Sequence, residues 1–322
     1  MAKTGVRVTR RGLLPLAGLA AGVRCSSPPV PAGPPGNAAV FIAKAPSYEV
    51  EIATLIEEGI RACGLAVKGK RVLLKPNLVE FDSSTSINTH VVVLGAALEV
   101  FRKLGAGSVR IGEGPGHRRD TVFLAEEARY RSLLPKFDEV FVDLNRDDVS
   151  AIPSFAGQEK FYFPNTALGA DLIVSVAKMK THHWAGATLS MKNFFGLTPG
   201  AVYGWPKNIL HRIGIAQSIV ELNKVFSRSF AIVDGIVGME GNGPIQGTSK
   251  PCGVLVMGTD LAAVDATCCR IMGINPEKLE YLRLTRALGH IDPSRIEQRG
   301  ERIERVRNTF QLIDEFQHVR AG

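Results

Sequence analysis

The stretch DLIVSVAKMKTHHWAGATLSMKNFFG, residues 171–196, runs from an apolar segment straight into cations and imidazoles. Its first seven residues, 171–177, are as apolar as a strand covered on both faces, the usual pattern of a parallel sheet. The continuation places Lys178, Lys180, His182, His183 and Lys192 within fifteen positions. Such a charge run is ordinarily a solvated face. Here Trp184, Met191, Phe194 and Phe195 are interleaved with the charges, and Gly186 and Gly196 break any helical period. Lysines held close together oppose one another's charge unless an anion or carboxylates neutralise them. Lys180 and His182 share a face if the strand continues. The segment reads as the floor of an anion-binding site.

Further strand candidates lie on both sides of it, at 39–43, 71–75, 108–112, 139–144, 229–235 and 253–258. Helical patterns separate them. In 49–63, Ile52, Leu55, Ile56, Ile60 and Cys63 fall on one face and Gly64 follows as a stop. The run 90–104 ends at Gly105 in the same way, and 208–226, 260–272 and 276–288 are also helical, with Asn275 and Pro276 opening the last. This alternation predicts an α/β fold: a mainly parallel sheet with helices on both faces, three layers, in one domain over residues 37–322.

Ligands of such sheets gather outside the carboxyl ends of the strands. Four polar segments follow strand candidates directly and emerge on one rim if the sheet is parallel. In KPN (75–77), Pro76 holds Lys75 extended and presents it beside Asn77. GEGPGHRRD (112–120) holds Glu113 in a closely approachable backbone, and fits neither a dinucleotide fingerprint nor a phosphate loop. The third is KMKTHH (178–183) itself, with Lys192 and Asn193 beyond it. The fourth, DGIVGMEGNGP (234–244), carries Asp234, Glu240 and Asn242. Asn88, Thr89 and His90 stand at a helix start, where Asn88 or Thr89 can cap and His90 can meet an anion. Asp260 reads as a structural helix cap.

The formal charge is +8, but residues 1–36 hold Lys3, Arg7, Arg10, Arg11 and Arg24 and no acid. Without those five, 34 basic residues face 31 acidic ones, so no nucleic-acid footprint remains. Arg10-Arg11 precedes a weakly apolar run from Leu13 to Val23, then a Pro/Gly linker. This reads as a twin-arginine-type export signal, with its export machinery as a partner and the periplasm as destination. The run is too short to span a bilayer, so no transmembrane span is expected in the mature chain. Cys25, Cys63, Cys252, Cys268 and Cys269 form no C-x-x-C and no iron–sulfur spacing, and a disulfide between Cys63 and Cys252 stays open.

Taken in order, KPN, NTH, GEGPG, KMKTH, MKNFFG, MEGNGP and TDLAAVDA resemble the domain of unknown function 362 family over about residues 70–290. Some similar proteins carry a ferredoxin-like cysteine segment that this chain lacks, so the resemblance implies the exported, cluster-free type. The family name supplies no reaction and no cofactor. The residues themselves suggest an enzyme acting on a small carboxylate or phosphate. Lys75, Lys178, Lys180 and Lys192 would bind the anion, Asn77, His90, Asn193 and Asn242 would orient it, and His182 with Glu113, Glu240 or Asp234 would move a proton. A non-catalytic anion binder fits the same cluster. A metal or redox protein loaded before export would draw on His90, His117, His182, His183, Asp234 and Glu240, although no spacing among them matches a metal motif.

Overall fold

The structure, a computed structural model, describes residues 34–116 and 120–322. Nearly all of the signal-like segment, Cys25 and His117 lie outside the described residues. The strands are β1 (Ala38–Lys44), β2 (Arg71–Pro76), β3 (Ser108–Glu113), β4 (Phe141–Asp143), β5 (Val149–Phe155), β6 (Gln158–Pro164), β7 (Leu172–His182), β8 (Gly186–Thr188), β9 (Ser229–Asn242), β10 (Gln246–Gly258) and β11 (Ile296–Gly300). The main sheet runs β11-β1-β10-β9-β7-β2-β3-β4, and β8 pairs with the end of β7. Every pairing is parallel except those of β10 with its two neighbours and of β8 with β7. A small antiparallel hairpin, β5-β6, stands apart from this sheet.

β7 lies near the middle, and its side chains alternate between the two faces as strand geometry requires. Leu172, Val174 and Val176 pack among helices Ile52–Ala62 and Val91–Lys103. Ile173, Ala177 and Met179 pack on the opposite face among helices Ile215–Val225 and Leu261–Ile271. The α/β class, the mainly parallel sheet and helices on both faces are therefore as the sequence predicts.

The boundaries differ in instructive ways. The candidate strand 139–144 splits into a helical turn, Phe137–Val140, and β4. The candidate helix 208–226 breaks at Gly214, where φ is 103°, into Asn208–Ile213 and Ile215–Val225. Residues 276–288 form a 3-10 turn Pro276–Lys278, a helix Glu280–Leu284 and another turn Thr285–Ala287. His90 caps its helix, accepting from the Val92 amide, in place of Asn88 or Thr89. Cys63, Cys252, Cys268 and Cys269 are free thiols.

β7 and β9 also run well past their apolar portions, because their charges neutralise each other. Lys178 and Asp234 are register partners on the two strands, and the Lys178 ammonium lies 2.9 Å from Asp234 Oδ2 with both side chains buried. Asp234 also accepts from Tyr48 OH (3.1 Å), the His90 amide (3.0 Å) and the Ile236 amide (3.2 Å). A buried carboxylate this well supplied with donors holds the lysine inside the sheet. Asp234→Ala should lose about 3–5 kcal/mol of stability, the usual loss when one buried partner goes. Adding Lys178→Met should recover more than half of that loss, measured by urea unfolding of the three proteins.

Candidate functional site

The carboxyl ends of β2, β3 and β7, with the turn between β9 and β10, surround a cavity of about 500 Å³. Its floor is the ion pair of Lys75 and Glu113, 2.6 Å apart and each only 1% exposed. Glu113 Oε2 also accepts from the Leu78 amide (3.0 Å), and Oε1 from the Gly114 amide (2.8 Å). Lys75 Nζ further donates to the Pro76 carbonyl (2.8 Å) and Asn193 Oδ1 (3.1 Å). Asn193 ties the floor together: its Nδ2 donates to the Lys75 carbonyl (2.9 Å) and Ser175 Oγ (3.1 Å), and its Oδ1 accepts from Asn77 Nδ2 (3.2 Å). The turn carrying Lys192 and Asn193 is anchored at its start by Asp265, which accepts from the Ser190 amide (2.8 Å), the Met191 amide (3.2 Å) and Tyr281 OH (3.2 Å). Glu113 is thus committed to the nearest lysine and two amides.

Three further lysines reach this cavity with no carboxylate partner among the described residues. Lys180 is fully buried and donates to the Ile87 (2.8 Å) and Pro244 (3.2 Å) carbonyls. Burial, then the charges of Lys192 and Lys178, hold its pKa well below the lysine range. Lys192 lies 4.4 Å from the centre of the Phe195 ring and makes no hydrogen bond to another described residue. Burial in the recess, then Lys75, lowers it to about 8. Lys207 is buried and donates to the Gly114 carbonyl. Burial lowers it to about 7 in spite of Glu113, with Lys75 adding to the fall.

Three imidazoles complete the polar lining: His182, His183 and His211. Burial and the surrounding cations, Lys192 first among them, push the His182 pKa far down and keep the ring neutral. Burial, then Lys192, lowers His211 as well. Asn77 and Thr188 also line the cavity, but Asn77 Oδ1 and Thr188 Oγ1 are sealed from it and have no partner among the described residues. Leu78, Val79, Phe195, Leu210 and Ile245 form apolar walls, and Trp184 stands at the edge, 62% exposed.

The structure thus brings together Lys75, Asn77, Glu113, Lys180, His182, Lys192 and Asn193. It places the other candidates elsewhere. Lys178, Asp234 and His90 form a separate cluster with Tyr48, on whose ring the His90 ring stacks at 3.7 Å. They face the side of the sheet covered by the first two helices. Glu240 accepts from the Gln311 amide (2.8 Å) and pairs with Lys250 (3.3 Å), away from the cavity. Asn242 is exposed and donates to Gln246 across the β9–β10 turn (3.1 Å). Lys207 and His211 belong to the cavity but follow no strand, so a search at strand ends passes over them. Among the described residues no group of three or more His, Cys, Asp or Glu side chains is placed to hold a metal. No helix among them is long and apolar enough to cross a membrane.

Fold and site define an α/β protein with a lysine- and histidine-lined recess at the carboxyl edge of its sheet. The chain belongs to the family described as Domain of unknown function (DUF362), whose model matches residues 72–270 and so spans the strands and turns that build the recess. A thylakoid-associated protein of Synechocystis is 28% identical over 263 residues, covering 78% of this chain and 79% of that protein. Among solved structures, the lactate racemase apoprotein of Thermoanaerobacterium thermosaccharolyticum aligns with a TM-score of 0.42 at 14% identity, over 74% of this chain and 57% of that one. A Thermotoga maritima protein aligns with a TM-score of 0.37 at 14% identity, over 67% of this chain and 58% of that one. The chain spans less than two thirds of the length of either solved structure.

Gly196 is the tightest point of the floor. A Cβ there would meet Glu113 Oε1 at 2.0 Å and Lys75 Nζ at 2.6 Å. Gly196→Ala should therefore separate the buried pair and lower stability by about 3–5 kcal/mol, read by urea unfolding.

Proposed function

We propose that the recess binds a small anion, a carboxylate or phosphate, and carries out acid–base chemistry on it. One observation carries this reading: Lys180, Lys192 and Lys207 converge on one cavity with no carboxylate partner among the described residues. Burying cations without counter-charge is unfavourable, and a bound anion would supply the missing charge. Lys192, with no hydrogen bond to another described residue, is the first contact. The paired imidazoles favour turnover over simple binding, because a storage or transport site needs charge alone. The twin-arginine reading of residues 1–36 leads us to propose an exported, periplasmic protein. Exchange of Arg10 and Arg11 for lysine in a reporter fusion should then keep the protein inside the cell.

The sign of the pH dependence follows from the lowered lysine pKa values. An unfolded lysine titrates near 10.4. Lys192 at about 8 and Lys207 at about 7 release their protons earlier in the folded chain. Between pH 7 and 9 the unfolded chain binds more protons, so the ligand-free protein should gain stability as pH rises. An anion should act oppositely, stabilising most at pH 7 and least at pH 9. Thermal melts with and without phosphate or acetate across this window check both trends. Lys192→Met should weaken anion binding at least tenfold while leaving the ligand-free melting temperature unchanged or higher. A melting temperature that collapses in this variant would make Lys192 structural.

A further inference from the structure

His182 and His183 are adjacent, yet both rings line the cavity, with centroids 5.0 Å apart. Their hydrogen bonds fix opposite tautomers. His182 Nδ1 lies 3.0 Å from the Trp184 amide nitrogen and 3.2 Å from that of Ala185. An amide nitrogen only donates, so His182 Nδ1 must be the bare nitrogen, and in the neutral ring the proton sits on Nε2. His183 Nδ1 lies 2.7 Å from the Gly243 carbonyl oxygen. A carbonyl oxygen only accepts, so His183 Nδ1 must carry a proton, and in the neutral ring Nε2 then holds the lone pair. Neither Nε2 bonds to another described residue, and neither is a sealed, unpartnered buried atom.

Local backbone builds this opposition. β7 ends at His182, and the turn to β8 directs the Trp184 and Ala185 amides back onto that ring. The β9–β10 turn brings Gly243 alongside; its carbonyl accepts from the His183 amide at 2.9 Å as well as from the ring. A Cβ on Gly243 would sit 2.1 Å from the Thr181 carbonyl, so glycine is what lets the β9–β10 turn lie against the end of β7.

We propose that the two histidines divide the acid–base work: His183 Nε2 is the base of the site, and His182 Nε2–H is a fixed hydrogen-bond donor to the charge that develops. This rests on the anion-site reading above. In the step, an X–H bond of the bound ligand breaks and its proton forms a new bond to His183 Nε2. The electron pair stays on the ligand. The ring becomes an imidazolium whose Nδ1–H remains on the Gly243 carbonyl, the arrangement that orients a catalytic imidazole. The charge left on the ligand meets His182 Nε2–H and Lys192, which are already in place. Glu113 is not needed for proton transfer, because Lys75 and two amides already occupy it.

The test is the 15N spectrum of the two imidazoles in the ligand-free full chain at pH 8, assigned with His182→Gln and His183→Gln. The expected result is a bare Nδ1 with a protonated Nε2 in His182, and a protonated Nδ1 with a bare Nε2 in His183. The same tautomer in both rings, or the reverse assignment, overturns the division of roles. Adding acetate or inorganic phosphate then separates this inference from the one beneath it. Binding that shifts the His182 Nε2–H resonance supports both. Binding with the wrong tautomers removes the role of His183 and keeps the anion site. The expected tautomers with neither anion bound at millimolar concentration leave the ring assignment standing and remove the anion site and, with it, the proposed base.

Discussion

Buried lysine charge is the constraint on which this molecule turns. Five lysines lie in or beside the centre of the sheet, and a protein interior tolerates an ammonium group only when something answers its charge or it gives up its proton. Lys178 is answered by Asp234 and Lys75 by Glu113, each inside a network that also uses up backbone amides. Lys180, Lys192 and Lys207 have carbonyls or an aromatic ring in place of carboxylates. The two neutralised pairs hold the strands together, and the three others surround a cavity. One residue type thus serves the fold and supplies the site, and the position of the acids decides which.

The parallel topology explains why these groups meet. β9, β7, β2 and β3 are neighbours and run in one direction, so their ends open on the same rim. Asn193 then locks the turn after β8 onto β2 and β7, placing Lys192 above the Lys75–Glu113 pair. Asp265, on helix Leu261–Ile271 packed beside it, fixes the start of that turn. The cavity is assembled from segments more than one hundred residues apart in the chain, and each hydrogen bond between them is a constraint on its shape.

Much of this was legible in residues 171–196. The apolar run marked a strand buried on both faces, and the interleaved aromatics marked the lysines after it as something other than a solvated helix. Lys75, Asn77, Glu113, Lys180, His182, Lys192 and Asn193 follow from that reading together with the rule that strand ends gather ligands. The rest was not, for physical reasons. Asp234 follows an apolar run as Glu113 does, but β9 continues past it, and strand length depends on a partner that periodicity does not reveal. Glu240 and Asn242 sit at the far end of that extension. Lys207 and His211 reach the cavity from the start and the body of the short helix Asn208–Ile213, whose placement depends on tertiary packing. Adjacent histidines on a regular strand point to opposite faces, and only the end of β7 at His182 lets both rings line one space.

The measurement that bears most directly on this account is a crystal structure of the protein soaked in selenate, with the anion located by anomalous scattering. A selenium peak is expected inside the cavity, within hydrogen-bonding distance of Lys192 Nζ and His182 Nε2. Selenate on surface residues alone, with water filling the cavity, would contradict it and leave the unpaired lysines without a function in anion binding.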